Sequence, residues 1–121
     1  MKNPKATRRI EPRTVFLLIT PTGRIALRKR PDKGILAGLW EYPSVSGTLT
    51  RQEASEWLTG QHLNFDHLKK GRSRKHIFTH VEWHMTVWKA ECRTENPDLT
   101  WVTMQELETV FTLPSAFKGF R

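Results

Sequence analysis

Between residues 76 and 84, four side chains of the types that bind zinc recur at short intervals. They are His76, His80, Glu82 and His84. Imidazole and carboxylate groups are common zinc ligands, but a zinc site needs them to converge on one point. The same spacing arises readily on the solvated face of a strand, and the sequence offers no second cluster of ligands. We therefore favour ordinary strand residues over a zinc site and predict no metal in this chain.

Just before these histidines lies a basic run, the feature of the sequence best suited to bind a polyanion. It consists of Lys69, Lys70, Arg72, Arg74 and Lys75. Lysine and arginine contact nucleic-acid phosphates, and such contacts fix the position of a protein on the duplex without reading its sequence. We predict that the basic run contacts DNA phosphates, with a solvated loop as the alternative. A second candidate patch, with a weaker case, comprises Arg28, Lys29, Arg30 and Lys33.

The overall charge supports a polyanionic partner, and the cysteine content limits what the chain can bind. The 121 residues include 20 Lys and Arg against 12 Asp and Glu, a formal net charge of +8. Such a surplus in one small domain favours nucleic acid or an acidic membrane face. Cys92 is the single cysteine, so this sequence alone can form neither an internal disulfide nor a thiolate zinc or iron–sulfur site. We expect an intracellular protein.

Hydrophobic periodicity and turn residues predict one α/β or α+β domain with a mixed sheet. Residues 1–12 hold two prolines and five charges, and we predict a flexible basic arm or linker remnant there, with the folded domain spanning 13–121. The predicted strands are a β-hairpin of Thr14–Thr20 and Arg24–Arg30, a short strand within Leu39–Val45, at least one long strand within Ile77–Cys92, and a short strand at Leu99–Val102.

Two amphipathic helices are predicted beside this sheet. The first begins after Thr50, which is spaced to form a capping box with Glu53, and it ends at Gly60. Its buried face is predicted to consist of Ala54, Trp57 and Leu58. The second helix spans 103–110, with Leu107 and Val110 pointing inward. A last amphipathic segment is predicted at residues 115–120.

Three segments of the sequence match the pattern of one known protein family. Residues 28–43 read RKRPDKGILAGLWEYP, residues 78–80 read Phe-Thr-His, and the tail at 113–118 reads LPSAFK. Together they resemble the C-terminal domain of MutY-type adenine DNA glycosylases, where a basic residue and a proline precede a GLLAGLWEFP-like run. The resemblance covers nearly the whole folded length and implies a Nudix-like α/β/α sandwich with a mixed β-sheet.

By this resemblance, the chain is a non-catalytic accessory domain that helps recognise 8-oxoguanine opposite adenine in double-stranded DNA. Phe78, Thr79 and His80 are similar to the family's Phe-Ser-His loop, which approaches the oxidised base. Oxidised guanine carries a hydrogen-bond donor at N7 and a carbonyl at C8, so the Thr79 hydroxyl, which donates and accepts, suits it. The resemblance places adenine excision and a 4Fe–4S cluster in an N-terminal catalytic domain of the same parent chain. We expect a DNA-associated monomer without a cofactor in this fragment.

A Nudix-like fold also raises the alternative of a magnesium-dependent nucleotide hydrolase. That chemistry needs the helical pattern R-E-U-x-E-E-x-G-U, in which U is a bulky aliphatic residue and the glutamates hold the metal. In the register set by Gly60, the acid positions fall on Ala54, Trp57 and Leu58. In the register set by Arg51, they fall on Gln52, Ser55 and Glu56. We therefore predict no hydrolase activity. A protein-interaction module with an incidental basic surface is the remaining alternative.

Overall fold

In the computed structural model, which describes residues 8–120, the chain alternates between strands and short helices. Residues 1–7 of the predicted arm, and residue 121, lie outside the described part. The strands are β1 (Arg9–Ile19), β2 (Ile25–Lys29), β3 (Trp40–Glu41), β4 (Ser44–Ser46), β5 (Phe65–Lys70), β6 (Arg74–Ile77), β7 (Val81–Cys92) and β8 (Thr100–Val102). The helices are α1 (Arg51–Gly60), α2 (Met104–Thr109) and a 3₁₀ turn at Ser115–Phe117.

The strands form the predicted mixed sheet, with the order β3-β2-β1-β7-β5. Strands β1 and β7 run parallel at its centre, whereas β1 with β2 and β7 with β5 are antiparallel. Strand β4 pairs with β1, β6 with β7 and β8 with β2. The predicted hairpin between β1 and β2 is confirmed, and its turn brings Thr20 N within 2.9 Å of Arg24 O. Gly23, with φ of 87°, supplies the left-handed backbone that this turn requires.

Strand β1 begins at Arg9, four residues before the predicted start of the folded part. Residues 9–12, expected in a flexible arm, pair in parallel with the first residues of β7, from Arg9 opposite Val81. Pro12 does not interrupt the strand. Its carbonyl accepts from Gly47 N at 2.8 Å, so its nitrogen, which has no hydrogen to donate, faces the same side, just beyond the paired residues of β4. The pairing with β7 on the other side therefore loses no hydrogen bond. The β7 ladder stabilises a segment whose composition alone indicates disorder.

The sheet buries a separate apolar cluster on each face. On the α1 face, Phe16 and Trp88 pack against Ala54 and Leu58 of helix α1. On the opposite face, here called the C-terminal face, the central strands pack against α2 and the last residues, including Phe117. Helical layers on both sides make the α/β/α sandwich that the sequence predicts.

Both helices begin as predicted, but α2 ends early. The Thr50 hydroxyl accepts from Glu53 N at 3.2 Å, and the Glu53 carboxylate accepts from Thr50 N at 2.9 Å, which confirms the capping box of α1. The prediction that Val110 points inward is wrong, since its side chain is 66% exposed. Helix α2 stops at Thr109 and the chain turns, so Phe111 packs edge-on against Trp40 instead, with ring centroids 4.9 Å apart.

Two strands at the sheet margin, β5 and β6, are not among the predicted elements. The sequence predicts a strand within Ile77–Cys92, and the structure divides this region at residues 78–80 into the end of β6 and the long β7. Strands β5 and β6 pair with the C-terminal and N-terminal halves of β7, respectively. Among residues 8–120, no helix has the length and apolar character needed to cross a membrane.

Candidate nucleic-acid interface

Phe78, Thr79 and His80 form a tight connection between β6 and β7, called here the 78–80 turn. Phe78 N donates to Val81 O at 2.7 Å, which closes the hairpin. The side chains of Thr79 and His80 are exposed and make no hydrogen bond to another residue of the described range. Because the backbone is fixed while these two side chains are free, the turn can present them to a ligand.

Phe78 differs from its two neighbours because its ring is part of the protein's own packing. It is half-buried against the core of the C-terminal face, with its ring centroid 4.7 Å from that of His76 and 4.9 Å from that of Trp83. Both contacts are edge-to-face, at interplanar angles of 67° and 71°. The ring therefore anchors the turn, and its remaining exposed edge is what a base could contact.

The basic run does not lie on one face of the sheet. Directly opposite residues of antiparallel strands share a face, and Lys69 lies opposite Lys89 on the C-terminal face, whereas Lys70 lies opposite Trp88 on the α1 face. On β6, Arg74 lies opposite Met85 on the C-terminal face, and Lys75 lies opposite His84 on the α1 face. The positive charges therefore wrap around the β5–β6 margin of the sheet. Lys89 of β7 lies beside Lys69 and extends this basic surface. The sequence alone does not show that the two lysines are neighbours, because it does not show that β5 pairs with β7.

Arg74 is already engaged within the protein, in contrast to the other members of the basic run. Its guanidinium lies 5.8 Å from the centroid of the Phe120 ring and donates to Lys118 O at 3.5 Å. The chain passes so close at Gly119 that a Cβ there would lie 2.7 Å from Arg74 Nη2. Arg74 therefore holds the C-terminal segment. Four members of the basic run have exposed side chains that make no hydrogen bond to another residue of 8–120. They are Lys69, Lys70, Arg72 and Lys75.

A polar groove on the α1 face adjoins the basic run. It has a volume of about 380 Å³ and is lined by Thr48, Ser73, Arg74, Lys75, His84, Met85 and Thr86. His84 Nε2 lies 3.1 Å from Glu82 Oε1, and this hydrogen bond is the main cause that holds the pKa of Glu82 below its usual value. Three hydroxyl groups, a lysine and an imidazole suit a phosphate oxygen, so this groove adds to the surface that a polyanion could contact.

The residues of the second candidate patch have divided roles. Arg28 Nε and Arg30 Nη1 donate to the Glu41 carboxylate at 2.8 and 2.9 Å, and Glu41 is only 1% exposed. These two arginines therefore hold a buried carboxylate. Lys29 and Lys33 are exposed, and Lys29 Nζ lies 5.5 Å from the centroid of the Trp40 ring. Residues 28–33 thus divide into two lysines exposed to solvent and two arginines that are paired with Glu41.

The four side chains considered for zinc do not converge. His76 lies opposite Trp83 on the C-terminal face, whereas Glu82 and His84 lie on the α1 face and the 78–80 turn separates them from His76. Within residues 8–120, no group of three or more histidine, cysteine or acidic side chains is placed to hold a metal ion.

Helix α1 uses the positions of a hydrolase's carboxylates for packing. Ala54 and Leu58 are fully buried, and Trp57 stacks on Phe16 at 4.5 Å between ring centroids. Of the two glutamates on the helix, Glu53 completes the capping box and Glu56 accepts from Gln52 at 3.4 Å. Ala54, Trp57 and Leu58 have no side-chain oxygen, so they cannot hold a magnesium ion as the glutamates of the hydrolase pattern do.

The sheet, the helices on its two faces and the sequence together define the class of protein. The family model of the NUDIX domain matches residues 14–120, so the chain belongs to the NUDIX domain family. Within it, the chain is similar to adenine DNA glycosylases. The Homo sapiens protein is 32% identical over 112 residues, which cover 81% of this chain and 20% of that protein. The Schizosaccharomyces pombe protein is 25% identical over 141 residues, covering 98% of this chain and 30% of that protein.

The solved structures add evidence on the fold. The C-terminal domain of mouse MUTYH, in complex with human PCNA, superposes with a TM-score of 0.72 at 22% identity, covering 89% of this chain and 82% of that chain. Our chain spans less than a third of the length of these two adenine DNA glycosylases. The predicted resemblance to the C-terminal domain of this enzyme family, and the predicted Nudix-like fold, are confirmed.

Proposed function

We propose that this chain is a DNA-binding accessory domain of an adenine DNA glycosylase and that it helps recognise 8-oxoguanine opposite adenine. The observation that carries the proposal is the exposed 78–80 turn beside the basic run, in a chain similar to adenine DNA glycosylases. Its partners are double-stranded DNA with this mispair and the catalytic domain of the same parent chain. The domain acts as a monomer in an intracellular, DNA-associated setting.

In this proposal, the 78–80 turn meets the oxidised base. Thr79 supplies a hydroxyl that can accept from N7–H and donate to O8, the two atoms that distinguish oxidised guanine from guanine. The anchored ring of Phe78 limits the movement of the turn, so the hydroxyl is held in place before DNA binds. His80 is exposed beside it and contacts either the base or a neighbouring phosphate.

Phosphate contacts come from the margin of the sheet. Lys69, Lys70, Arg72 and Lys75 are the free cations of the basic run. Lys75 lies on β6, the strand that leads into the turn, whereas Lys69 and Lys70 lie farther along the same margin, opposite Lys89 and Trp88 of β7. Contacts to phosphates fix register, while the turn reads the base. Arg74 contributes indirectly, because it holds the C-terminal segment in place beneath the same margin.

Adenine excision belongs to another part of the parent protein in this proposal. The buried apolar residues at the acid positions of α1 support a domain that has lost nucleotide hydrolysis, and we assign it no second set of catalytic groups. The 4Fe–4S cluster of the parent is likewise assigned to the catalytic domain. This fragment binds neither metal nor cofactor.

The hydroxyl of Thr79 provides the test. In the chain joined to the catalytic domain of an adenine DNA glycosylase, Thr79→Ala removes one neutral donor and acceptor, which costs roughly 0.5 to 1.5 kcal/mol. We expect the ratio of adenine excision opposite 8-oxoguanine to excision opposite guanine to fall accordingly. Thr79→Ser keeps the hydroxyl and is the matched control, with a ratio close to that of the unaltered protein.

Thr79 gives a sharper test than Phe78. Its side chain is exposed, so Thr79→Ala leaves the packing intact, whereas Phe78→Ala also removes the ring that packs against His76 and Trp83. Thermal unfolding of each variant shows whether the fold is preserved. An unchanged excision ratio in folded Thr79→Ala would contradict the role of the turn as the reader, while family membership would stand.

A further inference from the structure

Three arginines surround a single buried carboxylate on the side of the sheet that carries Trp83. Arg28 and Arg30 donate to Glu41 at 2.8 and 2.9 Å, and the guanidinium carbons of Arg13 and Arg30 each lie 5.0 Å from the centroid of the Trp83 ring. Three cations and one anion leave two positive charges without a carboxylate. We call this group the arginine cluster.

Arg13 and Arg28 are brought together at one residue, Ser44. Arg13 Nη2 donates to the Ser44 hydroxyl at 3.0 Å, and Arg28 Nη2 donates to the Ser44 carbonyl. The same hydroxyl lies 3.3 Å from Glu41 Oε1. The two guanidinium groups are therefore near each other, and both are held by a serine that is 1% exposed.

Both arginines keep donors that the protein does not use. Arg13 Nη1 and Arg28 Nη1 make no hydrogen bond to any residue of the described range, and neither atom is enclosed. Arg13 Nε is buried and also has no partner there. The charge of Glu11 on β1 also acts on Arg13, but its carboxylate accepts a hydrogen bond from Arg9 at 2.9 Å. The two Nη1 groups are therefore donors that a ligand can use.

The positive charge of the cluster also influences the pKa of Arg13. Burial is the main cause that lowers its pKa from the usual value, and the charge of Arg30 is the next. An anion beside Arg13 would counter both effects. Neighbouring guanidinium groups with free N–H donors bind phosphate oxygens well, because the planar fork of each can meet two oxygens at once.

We propose that Arg13 and Arg28 together bind a phosphate group, supplied either by the DNA backbone or by a free nucleotide. The oxygens of the phosphate accept from the free Nη1 groups of the two arginines. Glu41 and Ser44 hold the guanidiniums in place without touching the ligand. The site is distinct from the basic run, and phosphate binding there does not depend on the role proposed for the 78–80 turn.

Inorganic phosphate is the first probe, titrated into the full chain at constant ionic strength and followed by NMR. We expect saturable shifts of the arginine Nε–H signals of Arg13 and Arg28. Arg13→Gln should weaken binding about tenfold or more, since a hydrogen bond to a charged group is lost. Arg93→Gln is the control, because it also removes one arginine charge but at the exposed Asp66 pair, 2.6 Å apart. It should leave phosphate affinity unchanged.

Arg13→Lys keeps the experiment informative if Arg13→Gln does not fold. Lysine preserves the charge but loses the planar fork, so it should fold and still bind phosphate several-fold more weakly. Shifts that do not saturate, or that persist unchanged in a folded Arg13 variant, would overturn the proposal.

Competition identifies the source of the phosphate. A short duplex that displaces inorganic phosphate from Arg13 and Arg28 supports a backbone contact, and a nucleoside monophosphate that does so alone supports a free nucleotide. Displacement by neither would overturn the assignment to nucleic-acid or nucleotide phosphate. Failure of the Thr79 test with phosphate binding intact would separate the two proposals.

Discussion

At the scale of single residues, Glu41 determines how two of the basic side chains of residues 28–33 are oriented. The basic segment 28–33 suggests a surface patch in the sequence, because arginines are usually solvated. In the structure, Glu41 lies opposite Arg28 in the β2–β3 ladder and is buried, so two of the four basic residues turn toward it. A buried carboxylate must be paired, and this requirement determines where Arg28 and Arg30 point.

Replacing Glu41 by glutamine should strongly destabilise the protein. The change keeps the shape but leaves Arg28 and Arg30 without their shared ion-pair partner, and breaking a buried ion pair typically costs about 3 kcal/mol or more. Urea denaturation should show this decrease in the free energy of unfolding. Glu91→Gln removes an exposed carboxylate from β7 and should change stability by less than about 0.5 kcal/mol. Equal stability of the two variants would mean that the arginine cluster does not depend on Glu41.

At the scale of elements, the sequence predicts correctly those structures that depend on residues close together in the chain. The capping box at Thr50 and the hairpin around Gly23 rest on residues a few positions apart, and both are confirmed. Strands β5 and β6 were missed because their sequences, FDHLKK and RKHI, are charged and show little apolar periodicity. Their stability comes from the ladder with β7, and a ladder between distant segments leaves no local trace. The same reason hides the neighbouring positions of Lys69 and Lys89.

The cap of α1 should contribute measurably to stability. Thr50→Ala removes the acceptor for Glu53 N, and loss of an N-cap side chain costs about 1 kcal/mol. Thermal or urea unfolding should detect this decrease. Thr59→Ala, at an exposed position in the last turn of the same helix, is the matched control and should be neutral or slightly stabilising. If the two substitutions had the same effect, the capping box would carry no stability of its own.

Strand β7 should keep Cys92 unreactive and link its ionisation to folding. Burial raises the pKa of the Cys92 thiol to about 11. The folded state therefore retains a proton that the unfolded state loses, so stability is constant below the ordinary thiol pKa of 9.0 and falls as pH rises toward 11. We expect slow reaction with a thiol reagent at about pH 8, below both pKa values, until denaturant is added.

The variant Cys92→Ala isolates this effect from other groups that titrate in the same range. The difference in unfolding free energy between the two proteins should narrow steadily as the pH rises above the ordinary thiol pKa of 9.0. A difference that is flat with pH, or rapid labelling of native Cys92, would show that the thiol is accessible.

At the scale of the whole molecule, one part of the positive charge lies around a margin of the sheet. The free cations of the basic run lie on both faces of β5 and β6, and Lys89 adds to them. A margin charged on both sides can follow a phosphate backbone past the sheet, with the 78–80 turn at its end. The same charges keep this edge from pairing with other chains, since lysines on an exposed strand oppose sheet extension.

The salt dependence of DNA binding should locate this surface. Replacing Lys69, Arg72 and Lys75 together by glutamine should weaken binding to all duplexes alike. It should reduce the slope of log affinity against log salt by about 0.9 for each phosphate that the protein no longer neutralises. Lys29, Lys33 and Lys118 replaced together make a control of equal charge change at other exposed positions. An equal decrease of the slope in both triple variants would indicate general attraction without a defined DNA path.

The parallel pairing of β1 with β7 also constrains how the chain reaches its native state. Every residue of β1 pairs with a residue 72 positions later, and all eleven pairs share this separation. Contacts between such distant segments require closure of a long loop, which slows folding. On the ribosome, the β1–β2 hairpin can form early, but the parallel pairing of β1 with β7 can form only after β7 has been synthesised. Until then one edge of β1 has no partner strand, and unpaired strand edges make incompletely folded chains prone to aggregation.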